Sequence, residues 1–312
     1  MKRGAVDFDV VIVGAGPAGL SAGIWCADLG LSSVVIEQAA EIGGQLLKIH
    51  CPIGNYPGVD TANGRELRDK IAAQINKLGK VTIWRETVER IDTDTKKVIL
   101  ANGDAVSGRY LIIATGVRRR LLGVPGEIEF GGRGVIESGV REASSTAGTV
   151  VAVIGGGDAA LENAVILSKH ARLVYLIHRR SQFVARKKFV DSARATSNIR
   201  MFMSHHVKAI VGNSRLEGIE IENLDTREQS ALPLDFALIR IGVEPNSDKI
   251  RNSVEVDPHG YIIVDSKGET SVHGIYAIGD VANPIAPTIV GAVGDGATAA
   301  KAIAAEHFAV LG

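Results

Sequence analysis

Short apolar runs, glycine clusters and helical patterns alternate along this chain. Phe8 to Val13 is a β-branched-rich run that predicts a buried strand. It leads into Gly14-Ala15-Gly16-Pro17-Ala18-Gly19 and then into an Ala-rich helical pattern that reaches about Leu29. Ser33 to Ile36 predicts a second strand, which ends at Glu37. A strand, a glycine turn, a helix and a strand within about 30 residues form the context in which a glycine fingerprint binds a dinucleotide.

The same pattern returns in the middle of the chain. Thr149 to Ile154 predicts a strand, Gly155-Gly156-Gly157-Asp158-Ala159-Ala160 a glycine turn, and Leu161 to Lys169 a helix. Leu173 to Ile177 predicts the second strand of this copy. Two such units in one chain indicate two bound dinucleotides.

The remaining patterns predict how the two units are connected. Leu67, Ile71, Ile75 and Leu78 are spaced as on an amphipathic helix over 64–78, and Gly79 is suited to stop it. Further strands are predicted at Val81–Trp84, Val88–Ile91, Val98–Leu100, Tyr110–Ile113, Ala237–Ile241 and Ile275–Ile278, with a final helix at Gly291–Phe308. We therefore predict an α/β protein with two Rossmann-like three-layer domains. Residues 1–117 and 246–312 form the first domain, and the second, 118–245, is inserted into it.

Composition narrows the classes of partner. Apolar residues make up 46% and charged residues 22% of the chain, as in ordinary soluble globular proteins. Lys+Arg and Asp+Glu both number 35, which argues against nucleic acid or an anionic membrane as the main partner. No apolar run reaches the roughly 18 residues that a membrane span needs. Asp7 and Asp9 argue against a secretory signal at the start, so we expect a cytoplasmic protein.

The first fingerprint favours a dinucleotide without a 2′-phosphate. Gly14 allows the tight turn, Gly16 lets a pyrophosphate approach the backbone, and Gly19 lets the helix pack on the strand. A carboxylate at Glu37 accepts hydrogen bonds from ribose hydroxyls and repels a 2′-phosphate. FAD or NAD(H) therefore suits this site better than NADP(H), whereas a lone fingerprint without the strand context would indicate no more than a tight turn.

The second fingerprint differs at the end of its second strand. His178-Arg179-Arg180 stands where the first copy has Glu37. Arginines there donate charge-assisted hydrogen bonds to a 2′-phosphate, which favours NADPH. The alternative is a solvated basic turn.

A third motif assigns the dinucleotides to the two sites. Gly274 to Asp280 is a short apolar strand that ends in Gly279-Asp280, before the final helix. An aspartate at that point can bind a ribityl hydroxyl while the following helix directs its N-terminus toward a flavin. This places FAD at the first fingerprint and NADPH at the second.

In order and spacing, these motifs resemble the low-molecular-weight thioredoxin reductases over essentially the whole chain. The matching segments are Gly14–Gly19, Gly43-Gly44-Gln45-Leu46, Asn55-Tyr56-Pro57-Gly58, Ala114-Thr115-Gly116, Gly132-Arg133-Gly134-Val135, Gly155–Ala160, His178-Arg179-Arg180 and Gly279-Asp280-Val281. The resemblance implies a homodimer, tightly bound FAD and an NADPH domain that rotates relative to the FAD domain.

Fingerprints and resemblance together give a predicted set of contacts for each cofactor. For FAD the set is Gly14, Gly16, Pro17, Ala18, Gly19, Glu37, Gln38, Gly44, Gln45, Leu46, Asn55, Val88, Ala114, Thr115, Gly116, Gly279, Asp280, Thr288 and Ile289. For NADPH it is Gly155, Gly156, Gly157, Asp158, Ala159, His178, Arg179, Arg180, Arg186, Ile241 and Gly242.

One departure from the family changes the expected chemistry. The family's Cys-x-x-Cys-Asp falls, without a gap, on Ser138, Arg141 and Glu142. Neither serine nor arginine can form a disulfide, so the dithiol relay is absent. The family's Arg-Gln pair is also missing near Pro287-Thr288, and one arginine of its 2′-phosphate cluster corresponds to Val184, with Arg186 close enough to compensate.

The two cysteines form no CxxC and no metal-ligand spacing, and we expect no metal site. Cys51 lies next to His50 on a predicted flavin-side loop and could be a single reactive thiol, although a small loop residue is the commoner role. Cys26 is expected to be a packed thiol in the first helix. His205 and His206 should point to opposite faces of a strand, which disfavours joint metal ligation.

We therefore expect an FAD-dependent oxidoreductase that takes hydride from NADPH and passes electrons to an external acceptor. A one-electron carrier such as ferredoxin or flavodoxin, a quinone, a free flavin or oxygen are the acceptors considered. The alternatives are a Cys51-dependent disulfide or peroxide reductase and a non-catalytic FAD- and NADPH-binding sensor. Arg118-Arg119-Arg120 is expected to be a solvated linker between domains, with a docking patch for an acidic protein as the alternative.

Overall fold

A computed structural model describes residues 6–311 of the chain. Its strands are β1 (Val6–Val13), β2 (Ser33–Glu37), β3 (Thr82–Arg85), β4 (Val88–Asp92), β5 (Lys97–Leu100), β6 (Ala105–Ile113), β7 (Val117–Arg119), β8 (Val135–Ile136), β9 (Val150–Ile154), β10 (Leu173–His178), β11 (Ile199–Met203), β12 (His205–Gly212), β13 (Leu216–Asn223), β14 (Gln229–Pro233), β15 (Phe236–Ile239), β16 (Val243–Pro245) and β17 (Ile275–Ala277). The α-helices are α1 (Pro17–Asp28), α2 (Gly64–Leu78), α3 (Asp158–Ser168), α4 (Lys187–Ala195) and α5 (Ile289–Leu311).

The chain divides into two compact units. The first unit is Met1–Arg118 with Glu244–Gly312, and the second is Arg119–Val243. The second unit is thus an insertion in the first. The mixed α/β fold with parallel sheets that the glycine fingerprints predicted is confirmed.

The first unit is built on a mixed sheet in the order β3-β2-β1-β6-β5-β4, with β17 also paired to β6. β1 runs parallel to both β2 and β6, whereas β5 is antiparallel to β6. Side chains of β1 alternate between the two faces, as strand geometry requires. Val10 and Ile12 pack with α1 and α5, and Val11 and Val13 pack on the opposite face with residues such as Ile262.

The second unit contains a parallel sheet in the order β11-β10-β9-β15-β8 and an antiparallel sheet in the order β12-β13-β14. Val151 and Val153 of β9 pack on the helical face with Leu161 of α3. Ala152 and Ile154 pack on the other face, in a cluster that includes Ile219 of β13. Helices, parallel sheet and antiparallel sheet therefore form three layers.

Local signals account for the ends of several elements. Pro17 begins α1, where the missing N–H costs no helical hydrogen bond. The side chain of Asn63 accepts a hydrogen bond from the Glu66 N–H at the start of α2, and Gly79 ends that helix at φ +62°. The predicted stop at Gly79 is therefore confirmed, whereas the predicted strand over 237–241 ends earlier, at Ile239.

No helix within residues 6–311 is long and apolar enough to cross a membrane.

Candidate functional site

The first glycine fingerprint forms a backbone cradle between β1 and α1. Gly14 has a φ of +107°, and a Cβ there would lie 2.4 Å from the Ala114 carbonyl oxygen. A Cβ on Gly19 would lie 1.9 Å from the Gly14 carbonyl oxygen, so α1 can approach the turn only through a glycine. Around Gly16 there is open space, which leaves its backbone accessible at the start of α1. The three glycines thus have the separate roles that a dinucleotide fingerprint requires.

A cleft of about 710 Å³ lies beside this cradle. Its volume is in the range that accommodates a cofactor. Most of the residues predicted for FAD line it: Gly14, Gly16, Pro17, Ala18, Glu37, Gln38, Gly44, Gln45, Leu46, Val88, Ala114, Thr115, Gly116, Asp280, Thr288 and Ile289. The fold therefore brings together residues from nearly the full length of the first unit.

Glu37 is held at the end of β2 by two backbone amides. Its Oε2 accepts a hydrogen bond from the Ala15 N–H at 2.8 Å, and its Oε1 accepts one from the Ala39 N–H at 2.8 Å. Each carboxylate oxygen keeps a further acceptor position, because an ionised carboxylate has about four. Glu37 can therefore accept ribose hydroxyls from the cleft while remaining fixed.

Asp280 is half-buried on the wall of the cleft. Burial raises the pKa of its carboxyl group, and the neighbouring charge of Asp295 raises that pKa further. Asp295 is engaged by the Gly279 N–H at 3.1 Å, whereas no hydrogen bond from another described residue reaches the Asp280 carboxylate. A hydroxyl group of a ligand in the cleft can supply the missing hydrogen-bond donor.

Other predicted FAD residues lie outside the lining of the cleft. Gly19 and Gly279 instead allow close packing around the first glycine turn. A Cβ on Gly279 would lie 2.9 Å from the Ala18 Cβ. Asn55 is exposed in the loop before α2. Asn246 also lines the cleft: its side chain donates to the Thr115 carbonyl oxygen at 2.8 Å, and its backbone carbonyl accepts from the Thr115 hydroxyl at 2.7 Å.

The second fingerprint forms a similar turn between β9 and α3. Gly155 has a φ of +147°, and a Cβ there would lie 2.1 Å from the Arg240 carbonyl oxygen. The surroundings of Gly157 are open, at the start of α3. Asp158 at that helix start accepts from the Arg186 backbone N–H at 2.7 Å and pairs with its guanidinium at 2.5 Å. In this structure Arg186 is therefore directed toward Asp158, next to Ala159.

The residues predicted to bind a 2′-phosphate, His178-Arg179-Arg180, are partly buried and partly exposed. The ring of His178 lies under Gly156, within 2.2 Å of where a Cβ would be, and hydrogen-bonds the Gln182 carbonyl at 3.1 Å. Burial lowers the pKa of His178, and the charges of Arg180 and Arg179 lower it further, so the ring is neutral at pH 7. Arg179 and Arg180 are exposed and available to an anion. Ile241 and Gly242 follow β15, where Gly242 has a φ of +99°.

The segment over 138–142 is a hydrogen-bonded charged turn. Glu142 accepts from the Ser138 backbone N–H at 2.7 Å, and its other oxygen pairs with Arg141 at 2.5 Å. The Ser138 hydroxyl in turn accepts from the Arg141 N–H at 3.3 Å. Gly139 donates to Asn163 on α3 at 3.0 Å, which attaches the turn to the helix of the fingerprint.

The cysteines lie away from this turn in the sequence and differ in surroundings. Cys26 is fully buried in α1, and burial raises the pKa of its thiol to about 12, as expected of a packed, unreactive thiol. Cys51 is exposed, and it does not line the cleft although residues 44–49 do.

One histidine and two carboxylates cluster elsewhere in the first unit. Glu269, His273 and Glu306 each place one ligand atom within 4.8 Å of the others, in the part of the chain that the structure describes. The two ring nitrogens of His273 lie 2.9 Å from Glu269 and 3.3 Å from Glu306. His273 thus lies between the two carboxylates. His205 and His206 do not belong to this group.

Comparison with known proteins agrees with the two fingerprints. Residues 8–296 match the family model of the pyridine nucleotide-disulphide oxidoreductases, and the chain belongs to this family. It is an NAD(P)H-dependent flavoprotein oxidoreductase of the thioredoxin reductase-like type, and such enzymes use FAD and NADPH.

Individual relatives match over nearly the whole chain. The thioredoxin reductase of Bacillus subtilis (strain 168) is 34% identical over 96% of this chain and 94% of its own length. A bifunctional thioredoxin reductase/thioredoxin of Mycobacterium leprae (strain TN) is 34% identical over 94% of this chain, which spans 64% of that longer protein. The crystal structure of Lactococcus lactis thioredoxin reductase (FR conformation) superposes with a TM-score of 0.84 at 32% identity, covering 97% of this chain and 99% of that one.

Sequence reasoning missed the surroundings of the charged turn. The sequence predicts a solvated linker at Arg119, but this residue is partly buried, and its guanidinium donates to the Glu137 carbonyl oxygen. Arg240, which is not among the predicted site residues, donates to the same oxygen at 2.7 Å. An arginine between the apolar strand β15 and Ile241-Gly242 was the available signal.

Proposed function

We propose that this protein is an NADPH-dependent FAD oxidoreductase that passes electrons to an external acceptor without a protein dithiol. The observation that carries the proposal is the turn over 138–142. There the backbone is fixed by Ser138, Arg141 and Glu142, and no thiol is available in it. The acceptor is a small molecule or a small redox protein, such as a quinone, a ferredoxin or a flavodoxin.

The first unit carries the residues suited to FAD. The backbone at Gly16 and the start of α1 provide N–H groups for a pyrophosphate. Glu37 accepts ribose hydroxyls, and Asp280 accepts a ribityl hydroxyl from the cleft wall. When bound, FAD supplies the ability to accept two electrons from a nicotinamide and to release them in one or two steps.

The second unit carries the residues suited to NADPH. Gly155, Gly156 and Gly157 form the turn at the start of α3, and Arg179 and Arg180 are exposed at the end of β10. Their guanidinium groups can bind a 2′-phosphate through charge-assisted hydrogen bonds. His178 supports the turn from below and adds no charge to the phosphate site at pH 7.

Two alternatives remain testable. A reactive Cys51 would make the protein a single-cysteine disulfide or peroxide reductase, and the exposure of Cys51 is the observation in favour. Without turnover, the protein would be an FAD- and NADPH-binding sensor. The homodimer implied by the resemblance stays a prediction, which sedimentation velocity of the FAD-loaded protein checks.

Steady-state oxidation of NADPH with an artificial acceptor distinguishes these cases. We expect the FAD-loaded protein to turn over many equivalents of NADPH with ferricyanide and with a quinone. A sensor would oxidise about one equivalent of NADPH per bound flavin and stop. A thiol-dependent reductase would lose peroxide or disulfide turnover in the Cys51→Ser variant.

A further inference from the structure

Two arginines in the second unit share one backbone acceptor. Arg240, directly after β15, donates from Nη2 to the Glu137 carbonyl oxygen at 2.7 Å and from Nη1 to the Ile239 carbonyl oxygen at 3.0 Å. Arg119, at the start of the unit, donates from Nη1 to the same Glu137 oxygen. Two guanidinium groups that share one acceptor must lie side by side.

No carboxylate among residues 6–311 forms a direct ion pair with either arginine. Glu137 and Glu142 are the acidic residues whose charges act on both arginines. Their carboxylates form ion pairs with Arg141 instead, at 3.6 and 2.5 Å. Three arginines therefore face two glutamates, and the cluster carries a net positive charge.

The side chains of both arginines are partly buried, which makes their charges costly. Burial lowers the pKa of Arg119. Burial and the charge of Arg119 together lower the pKa of Arg240 to about 10. At pH 7 both guanidinium groups are still charged, so a bound anion would relieve their repulsion and replace lost hydration.

The pair lies at the ligand-binding edge of the sheet. The Arg240 N–H donates to the Ile154 carbonyl at 2.7 Å, and its own carbonyl oxygen crowds Gly155 of the second fingerprint. Open parallel sheets bind ligands outside the carboxyl ends of their strands, and β9 and β15 both end here. Guanidinium pairs at such a position match the geometry of phosphate and carboxylate groups.

We propose that Arg119 and Arg240 form a binding site for an oxyanion, a phosphate or carboxylate-like group carried by a substrate. The site is separate from Arg179 and Arg180, which lie at the end of β10. Two substrates can carry the anion: the diphosphate of NADPH or an acidic group of the electron acceptor. The role of the site in turnover rests on the proposed function, whereas its affinity for an inorganic oxyanion does not.

The first test measures binding without turnover. Inorganic phosphate is titrated into the FAD-loaded protein and followed by ³¹P NMR line width, at constant ionic strength and with 2′-AMP present to occupy Arg179 and Arg180. We expect the double variant Arg119→Gln/Arg240→Gln to lose about tenfold or more of the phosphate affinity, because two charge-assisted contacts disappear. Arg172→Gln/Arg194→Gln, which removes two exposed charges of the same unit, should bind phosphate like the wild type.

The second test identifies the substrate that carries the anion. NADP⁺ binding is measured by calorimetry, and steady-state kinetics use 1,4-naphthoquinone and its anionic 2-sulfonate as matched acceptors. About tenfold weaker NADP⁺ binding in the double variant would assign the site to the nucleotide diphosphate. An increase in KM of that size for the sulfonate alone would assign it to the acceptor.

The proposal is overturned if the folded double variant binds phosphate, NADP⁺ and both quinones within about twofold of the control variant. If the double variant fails to fold, the single Arg119→Gln variant is tested in the same way, since Arg119 makes only one of the three hydrogen bonds. Failure of wild-type turnover would contradict the proposed function but leave the phosphate result interpretable.

Discussion

At the residue scale, the first unit contains an aspartate whose charge costs stability in the absence of ligand. Burial and Asp295 raise the pKa of Asp280, so the charged carboxylate is less favourable in the folded protein than in the unfolded chain. The destabilising effect is full above the raised pKa of the folded state and disappears as the pH falls toward the unfolded value of 3.8. A residue kept at such a cost, on the wall of a cleft, is a strong candidate for ligand binding.

Asp280→Asn is therefore expected to stabilise the apoprotein at pH 7 and to weaken FAD binding by about tenfold, because the charged hydrogen-bond acceptor is lost. The two quantities are measured by thermal unfolding of the apoprotein and by fluorescence titration with FAD. Asp295→Asn is the matched control, because Asp295 is also half-buried with a raised pKa but does not line the cleft. Equal loss of FAD affinity in both variants would contradict the role of Asp280.

The exposed pair Arg179 and Arg180 gives the second prediction at this scale. Changing both to Ala should remove most of a preference for NADPH over NADH, which we expect to be at least about tenfold after allowing for solvent screening. The ratio of kcat/KM for the two nucleotides is the measurement. Arg194→Ala, an exposed arginine on α4, should leave that ratio unchanged. If the double variant keeps the wild-type ratio, the 2′-phosphate lies elsewhere.

Individual residues show which parts of the candidate site the sequence predicts and which it does not. The positions of the fingerprint glycines, Glu37 and Asp280 beside one cleft could be predicted, because each position follows from a local pattern of strand, turn and helix. Arg119 and Arg240 could not, because their guanidinium groups meet only when three distant segments, at 119, 137 and 240, fold together. Asn55 belongs to the predicted FAD set because of the family resemblance. The spacing of residues in the sequence does not predict its position in an exposed loop.

At the element scale, close packing of α1 against α5 supports the first fingerprint. Gly296 of α5 lies so close to α1 that a Cβ would be 2.6 Å from the Ala18 carbonyl oxygen and 2.8 Å from the Ala22 nitrogen. The strands and helices around both fingerprints followed from hydrophobic periodicity. The bounds of the antiparallel sheet β12–β14 were not predicted, because the apolar positions of β13, Leu216, Ile219 and Ile221, do not alternate strictly with polar ones.

Gly296→Ala is expected to destabilise the protein by about 1–3 kcal/mol, since the added methyl group meets backbone atoms that cannot move aside. Gly294→Ala is the control on the same helix, where a Cβ meets nothing within 4 Å. That substitution should raise stability by about 0.5–1 kcal/mol, because alanine loses less conformational entropy than glycine. Urea unfolding of the FAD-loaded proteins measures both, and a stability loss of equal size in the two variants would contradict the packing argument.

At the scale of the whole molecule, the chain carries two glycine fingerprints, one in each compact unit, and neither of its two cysteines belongs to a CxxC pair. The two cysteines are a buried one in α1 and an exposed one that does not line the cleft. The architecture was predictable from two repeated fingerprints. The identity of the electron acceptor was not predictable. The turn over 138–142 argues against a thiol relay, and no other local motif in the sequence points to an acceptor.

The most direct test of a dithiol-free enzyme is NADPH oxidation by the FAD-loaded Cys51→Ser variant, measured side by side with ferricyanide and with thioredoxin. We predict ferricyanide turnover within about twofold of wild type, because direct transfer from the cofactor needs no thiol. We also predict no sustained reduction of thioredoxin by either protein, since Ser138 and Arg141 cannot carry the electrons. Sustained thioredoxin reduction by the variant, or loss of its ferricyanide turnover, would contradict the account.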